Sequence, residues 1–424
     1  MKTTSGMRWI VLGLFVLLIG SQVLVYGESN ITLNLWTELA ETKDKAMIDG
    51  LVTDYNKQHP GVTVVHRVIG NEAYFATLRT GLAGNDPPDL FQEEGYFQCK
   101  KIAAEGLALD VNDWFVKNAG KFIAGAGNSS MYKNKVYGIP FDFQTEAQIY
   151  YNVDILKKHK VKIPKTWNEF LAACAKLKKA GVTPIALGTK DGWPGKLMFE
   201  TILGQIVGAK KVWATLNADD GTRWTDPGFI KAAKMYKNLY DKGYYQNGCA
   251  SADDGMAKAI FLSGKTAFYH TGSWFLSQSF PEGFNWDFFE FPKVADNTQM
   301  PVMCLDNLAI SAKCKHPKEA LAFLDWMVQI PQAKRWVEND KLSTIRGALT
   351  KDNASERLLR TQQIVEKAKA SIAGLELCVP PSVGEDKIYN GAAAVVSGQM
   401  TAEQWMQSVE KASQIAKQKG EYLR

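Results

Sequence analysis

Between residues 31 and 93 the hydrophobic pattern switches repeatedly between strand and helix periods, and this alternation restricts the fold more than any other feature. Ile31-Thr32-Leu33-Asn34-Leu35-Trp36 alternates with a period of two, as a strand does. Residues 41–58 then place Met47, Ile48, Leu51, Val52 and Tyr55 on one helical face, and His59-Pro60-Gly61 stops that helix. Val62, Val64, His66 and Val68 mark a second strand face. Tyr74, Phe75, Leu78 and Leu82 recur at helical spacing, and Asn85-Asp86-Pro87-Pro88 is a turn before a short strand at Asp89-Leu90-Phe91. This βαβαβ order predicts a parallel sheet with helices on its faces.

The rest of the chain continues in the same style. Lys135 to Pro140 reads as a strand leading into Phe141-Asp142-Phe143-Gln144. Thr166-Trp167-Asn168-Glu169 is a capping box whose helix runs to Gly181, a natural stop. Thr183 to Leu187, Thr266 to His270 and Leu305 to Ser311 read as strands. Asp226-Pro227 and Pro317 open helices, and Thr401-Ala402-Glu403-Gln404 is a second capping box. With 424 residues, 46% hydrophobic and 22% charged, the expectation is an ordered α/β protein of two or three domains.

The N-terminus carries its own signal. Lys2 and Arg8 precede an apolar run from Ile10 to Ile19, and Val25-Tyr26-Gly27 ends the segment before the first acid, Glu28. This pattern predicts a signal peptide over residues 1–27, cleaved near Gly27. The apolar run falls short of the ~20 residues a spanning helix prefers. No cysteine precedes Cys99, so no lipid anchor is expected, and the periplasm is the expected compartment. The net charge of +6 comes without a basic cluster interleaved with aromatics, which argues against nucleic-acid binding.

Catalytic signatures are missing. There is no GxSxG, and the five histidines show no HExxH, so no catalytic residue, metal or cofactor is expected. Ser263-Gly264-Lys265-Thr266 has the letters of a phosphate loop but follows a helix and precedes a strand. That order is the reverse of what phosphate binding needs, and the segment reads as a helix stop. Six cysteines occur without a CxxC, and export permits disulfides with 15 connectivities.

The informative residues lie at predicted strand ends. Trp36 ends the first strand, Trp193 lies in a loop at Asp191-Gly192-Trp193-Pro194, and Trp274 follows Thr271-Gly272-Ser273. Gln92, Glu93, Glu94, Asp142, Gln144 and Asp306 all follow predicted strands. In open α/β sheets ligands bind outside the carboxyl ends of strands. An indole face suits the C–H face of a sugar, and carboxylates and amides suit its hydroxyl rim.

Tyr137-Gly138-Ile139-Pro140-Phe141-Asp142, Tyr150-Tyr151-Asn152-Val153-Asp154 and Pro164-Lys165-Thr166-Trp167-Asn168-Glu169-Phe170 resemble bacterial extracellular solute-binding proteins of family 1. These are periplasmic sugar-binding components of ABC transporters. Thr183-Pro184-Ile185-Ala186-Leu187, Gly264-Lys265-Thr266-Ala267-Phe268, Gly272-Ser273-Trp274 and Leu308-Ala309-Ile310-Ser311 extend the resemblance over most of residues 30–424. It implies the two-lobe periplasmic-binding-protein fold (type II), each lobe a mostly parallel sheet flanked by helices. The hinge crossings are expected near residues 143–146, 294–302 and 342–348. Residues 28–142 and 303–341 then form the N-terminal lobe, and 143–302 and 342–424 the C-terminal lobe with a helical extension.

By position, the resemblance implies ligand contacts from Trp36, Gln92, Glu94, Asp142, Gln144, Trp193, Trp274 and Asp306, with Lys341 and Arg346 flanking the third crossing. Glucose-type members are most similar around Phe91-Gln92 and Lys341, and they imply a Cys174–Cys249 disulfide. The implied partners are a small-molecule sugar and membrane permease subunits, with the chain itself a monomer. Two rivals remain at this point. One is a secreted carbohydrate hydrolase pairing Glu93 or Glu94 with Asp142. The other keeps the fold and binds a non-sugar solute, such as a polyamine or an amino acid.

Overall fold

The structure is a computed structural model, and it describes residues 30–39, 41–294 and 300–423. The expected signal peptide and its cut near Gly27 lie outside the described residues, as does part of the middle crossing.

The first strand, β1 (Ile31–Thr37), buries Leu33, Leu35 and Thr37 and turns Asn34 and Trp36 the other way, as a two-residue period requires. The helix α1 (Thr42–Gln58) lays Met47, Ile48, Leu51, Val52 and Tyr55 in the same core as Leu33 and Leu35. The strand β2 (Val62–Val68) pairs parallel with β1 from Ile31↔Val62 to Thr37↔Val68. The helix α2 (Asn71–Ala83) covers the opposite face with Tyr74, Leu78 and Leu82. The strand β3 (Leu90–Glu93) then pairs parallel with β1 on its other edge. One sheet thus has α1 on one face and α2 on the other.

Three later strands complete this sheet in the order Leu342–Ser343, Gly138–Thr145, Met303–Ile310, β3, β1, β2. The expected parallel pairing holds over β2, β1 and β3. The three later strands join antiparallel: Met303–Ile310 pairs with β3 and with Gly138–Thr145, which in turn pairs with Leu342–Ser343. The second sheet has the order Trp286–Glu290, Gln148–Asn152, Thr266–His270, Thr183–Ala186, with one parallel pair between the last two.

The chain leaves the first sheet between Thr145 and Gln148, returns between Glu290 and Met303, and leaves again after Ser343. Residues 143–145 and 342–343, assigned from the sequence to the second lobe, hydrogen-bond within the first sheet. The strand ladder runs on past the expected boundary because Phe143 pairs with both Leu305 and Leu342.

Local signals act where the sequence places them. In the Trp167–Lys179 helix, Thr166 Oγ1 accepts from Glu169 N at 3.3 Å and Glu169 Oε2 accepts from Thr166 N at 3.2 Å, closing a capping box. Thr401 and Gln404 close the second one ahead of Ala402–Gln418. The Asp254–Leu262 helix ends before Gly264, and the Thr266–His270 strand follows, so the phosphate-loop letters are a helix stop.

The Cys174–Cys249 disulfide is a correction. Both thiols are free and buried, as single small apolar side chains in the core of the second lobe. The Cys249 thiol donates to the Val396 carbonyl at 3.8 Å. Burial pushes the Cys249 thiol up to about 11 and Cys174 further in the same direction, so neither is a ready thiolate. An aromatic disulfide reagent should therefore count six thiols in denaturant without reductant, and react slowly with the native protein. A count of four would restore the bond.

Candidate functional site

The site begins where strand geometry places three polar side chains on one face. Asp142 and Gln144 are two residues apart on Gly138–Thr145, and Asp306 pairs directly with Asp142 across the ladder. Gln144 Nε2 donates to Asp306 Oδ2 at 2.8 Å and to Asp142 Oδ2 at 3.4 Å. A register shift between Asp306 and Asn307 re-aims this point of the strand. Lys341 enters just before the Leu342–Ser343 strand, with its ammonium 3.1 Å from Asp44 Oδ2 and 3.6 Å from Asp142 Oδ2. Asn339 donates to the other Asp44 oxygen at 2.7 Å.

Burial controls the charge state here. Asp142 is 0% exposed, and desolvation pushes its carboxyl up to about 6 even though Lys341 pulls the other way. Asp306 is held well above the ordinary carboxylate range, first by burial and then by Asp142 and Glu38. Lys341 moves up, because the attraction of Asp44 and Asp142 overcomes its own burial. Asp142 Oδ1 has no hydrogen-bond partner among the described residues.

Gln92 belongs to the same wall. Its Nε2 donates to Glu38 Oε1 at 3.1 Å, and its Oε1 accepts from Glu38 N at 3.2 Å. Glu94 follows; its carboxyl is pushed well up by burial, then by Glu38, Asp306 and Glu376. Glu376 lies on the segment beyond the third crossing.

The second lobe supplies the aromatic wall. Trp193 and Trp274 pack edge to face, with centroids 5.6 Å apart and planes at 70°. Gly272-Ser273-Trp274 is held from both sides: Ser273 Oγ accepts from Thr145 N at 3.1 Å, and Tyr150 OH donates to Gly272 O at 3.0 Å. A Cβ on Gly272 would lie 1.9 Å from the Trp274 ring, so only glycine lets the indole fold back. Trp193 differs from the loop reading, since it is the first residue of the Trp193–Val207 helix. Gly192, at φ 83°, lies against the Tyr389 ring, whose hydroxyl is pushed up by burial and then by Glu376. Trp193 Nε1 is buried without a partner among the described residues.

Two sequence-named residues fall elsewhere. Trp36 points to the α2 face, over Gly81 and Pro88, with the Arg67 guanidinium 4.7 Å from its ring. It is a packing aromatic, because strand alternation sends it away from Thr37. Arg346 is exposed, and its Nε donates to the Phe122 carbonyl, apart from the carboxylates. Asp142, Gln144, Asp306 and Lys341 come together, Gln92 joins Glu38, and Trp193 meets Trp274.

A buried ion cluster escaped the sequence reading. Lys196 Nζ lies 2.5 Å from Glu200, 3.0 Å from Glu376 and 3.5 Å from Glu146. Its signal was available: Lys196 and Glu200 are the only charges in an otherwise apolar helix, four residues apart. Lys258 also bridges the lobes, 2.7 Å from Glu41 at the start of α1.

Residues 39–334 match the bacterial extracellular solute-binding protein family. The chain belongs to it. The multiple sugar-binding protein of Streptococcus mutans is 25% identical over 337 residues, 74% of this chain and 74% of that protein. An ABC-transporter extracellular-binding protein of Pyrococcus horikoshii is 25% identical over 69% of this chain and 66% of its own length; a second matches over 61% of its length. Among solved structures, a protein of xylan utilization by Caldanaerobius polysaccharolyticus has a TM-score of 0.84 at 23% identity, covering 90% of this chain and 99% of that one. A solute receptor with exclusive preference for β-D-galactopyranose has a TM-score of 0.83 at 18% identity, covering 93% and 100%. Both are likenesses of fold, that of type II periplasmic binding proteins.

Proposed function

We propose that this solute-binding protein captures a sugar between its lobes and presents the closed form to ABC-transporter permease subunits, as a monomer exported to the periplasm. The observation that supports this reading is a link between two walls: Ser273 Oγ, next to Trp274, accepts from Thr145 N, next to Gln144. Asp142, Gln144, Asp306 and Lys341 come from the first sheet, and Trp193 with Trp274 from the second lobe. Asp142 Oδ1 and Trp193 Nε1 both lack a partner among the described residues. An acceptor and a donor beside indole faces match a hydroxyl rim around an apolar face. Contacts drawn from both lobes exist together only in the closed state, so ligand shifts the population toward closure.

A hydrolase is disfavoured by Glu93. Its Oε2 accepts from Gly95 N at 2.5 Å, and its side chain is enclosed against Gly138 and Asn307. Glu94 and Asp142 are accounted for by hydroxyl binding. The test is calorimetry against monosaccharides and short oligosaccharides. Binding is expected for at least one sugar, and Trp274→Ala should weaken it at least tenfold with the fold retained by circular dichroism. A panel with no saccharide binding, or reducing-sugar release from a glycan, would overturn the reading.

A further inference from the structure

One ion pair between the lobes takes no part in either wall. Glu41 is the N-cap residue of α1, and its carboxylate makes no capping bond there. It reaches instead to Lys258 Nζ, 2.7 Å away on the Asp254–Leu262 helix of the second lobe. The pair is partly open to water, with the Lys258 side chain 23% exposed and that of Glu41 44%. The same ammonium donates to Gln278 Oε1 at 3.2 Å.

Both tryptophans of the second lobe are tied to the surroundings of this lysine. Gln278 follows the Ser273–Ser277 turn that contains Trp274, and Ser277 Oγ donates to the Trp274 carbonyl at 3.0 Å. The loop before Trp193 is fastened to the start of the lysine's own helix. Asp191 Oδ2 accepts from Asp254 N at 2.8 Å, Lys190 N donates to Ala252 O at 3.0 Å, and Thr189 N donates to Cys249 O at 3.1 Å. A Cβ on Gly188 would lie 2.2 Å from Asp253 O, so the two segments run in backbone contact. Asp253 Oδ1 caps the helix by accepting from Met256 N at 2.8 Å. Lys258 therefore stands one helical turn beyond the point that anchors the Trp193 loop.

Resting on the closure reading, we infer that Lys258 is a positioning residue for solute capture. Its pairing with Glu41 latches the closed lobes and holds the Trp193 and Trp274 segments against the first lobe. The bond has its ends on different lobes, so opening breaks it and returns both charges to water. It adds to the population that can bind, and apparent affinity scales with that population. A pair this exposed contributes modestly and is screened by salt, so its loss shifts affinity by a few fold and does not abolish binding.

The experiment compares Lys258→Glu, Glu41→Lys and the double exchange with the parent, each as the full mature chain with its fold checked by circular dichroism. Calorimetry uses the panel above, with D-glucose, D-galactose, maltose and xylobiose among its probes, in about 20 mM and about 500 mM NaCl. For a probe that binds the parent, each single reversal is expected to weaken binding about threefold or more at low salt. The double exchange should restore it to within about twofold, and high salt should narrow the gap. Single variants that bind as the parent does, or an exchange as weak as they are, overturn the latch and leave the sugar reading standing. If no probe binds the parent, the sugar reading fails, and small-angle scattering of the ligand-free forms at low salt decides the latch by itself. A larger radius of gyration in both single reversals than in the parent and the exchange supports it; equal radii overturn it.

Discussion

Replacing Lys341 with methionine is expected to lower stability by about 3–5 kcal/mol and to abolish solute binding. The ammonium is 3% exposed and contacts Asp44 and Asp142, which are 3% and 0% exposed. Methionine keeps most of the stem's packing, so the loss isolates the charge. Two carboxylates then remain buried without a cation, and Asp142 must take a proton that Lys341 now opposes. Urea denaturation at pH 7 measures the loss. Lys341→Met combined with Asp142→Asn should recover part of it, because the second change removes one uncompensated charge. A deficit in the range of an exposed pair, ~0–1 kcal/mol, would mean that the three side chains open to water.

The frame of this molecule was legible because local chemistry and burial agree. Leu33, Leu35 and the α1 face follow their periods, and both capping boxes close. Asp142, Gln144 and Asp306 were expected just after strands, but they lie inside Gly138–Thr145 and Met303–Ile310, where the two-residue period and the Asp142–Asp306 pairing gather them. Trp36 shares the α2 face with Phe91, its parallel neighbour, while Gln92, one residue further along β3, turns to Glu38. Arg346 failed because Ile345 turns into the core and sends its neighbour to solvent. The Lys196 cluster was hidden for another reason. Its four members span residues 146 to 376, and only the fold brings them together.

That cluster gives the second large effect, and its pH dependence has a defined sign. Lys196 joins the first crossing, through Glu146, to the Trp193–Val207 helix and to the segment after the third crossing, where Leu375 N donates to Glu200 Oε2 at 3.0 Å. Burial already holds Glu146 above the ordinary glutamate value, and burial followed by Glu146 holds Glu200 well above it. Lys196→Met removes the attraction that pulls both down, so their native values rise further. A carboxyl whose native pKa exceeds its unfolded value, ~4.3, favours the native state below that value and loses the advantage as pH rises. The deficit of Lys196→Met relative to the parent protein should therefore be small near about pH 4.5 and grow to about 3–5 kcal/mol by about pH 8. Paired denaturation curves across that interval read the slope directly. A deficit that does not change with pH would show that Lys196 contributes packing alone and that its three glutamates are solvated. A growing one ties the crossing segments to a single buried charge.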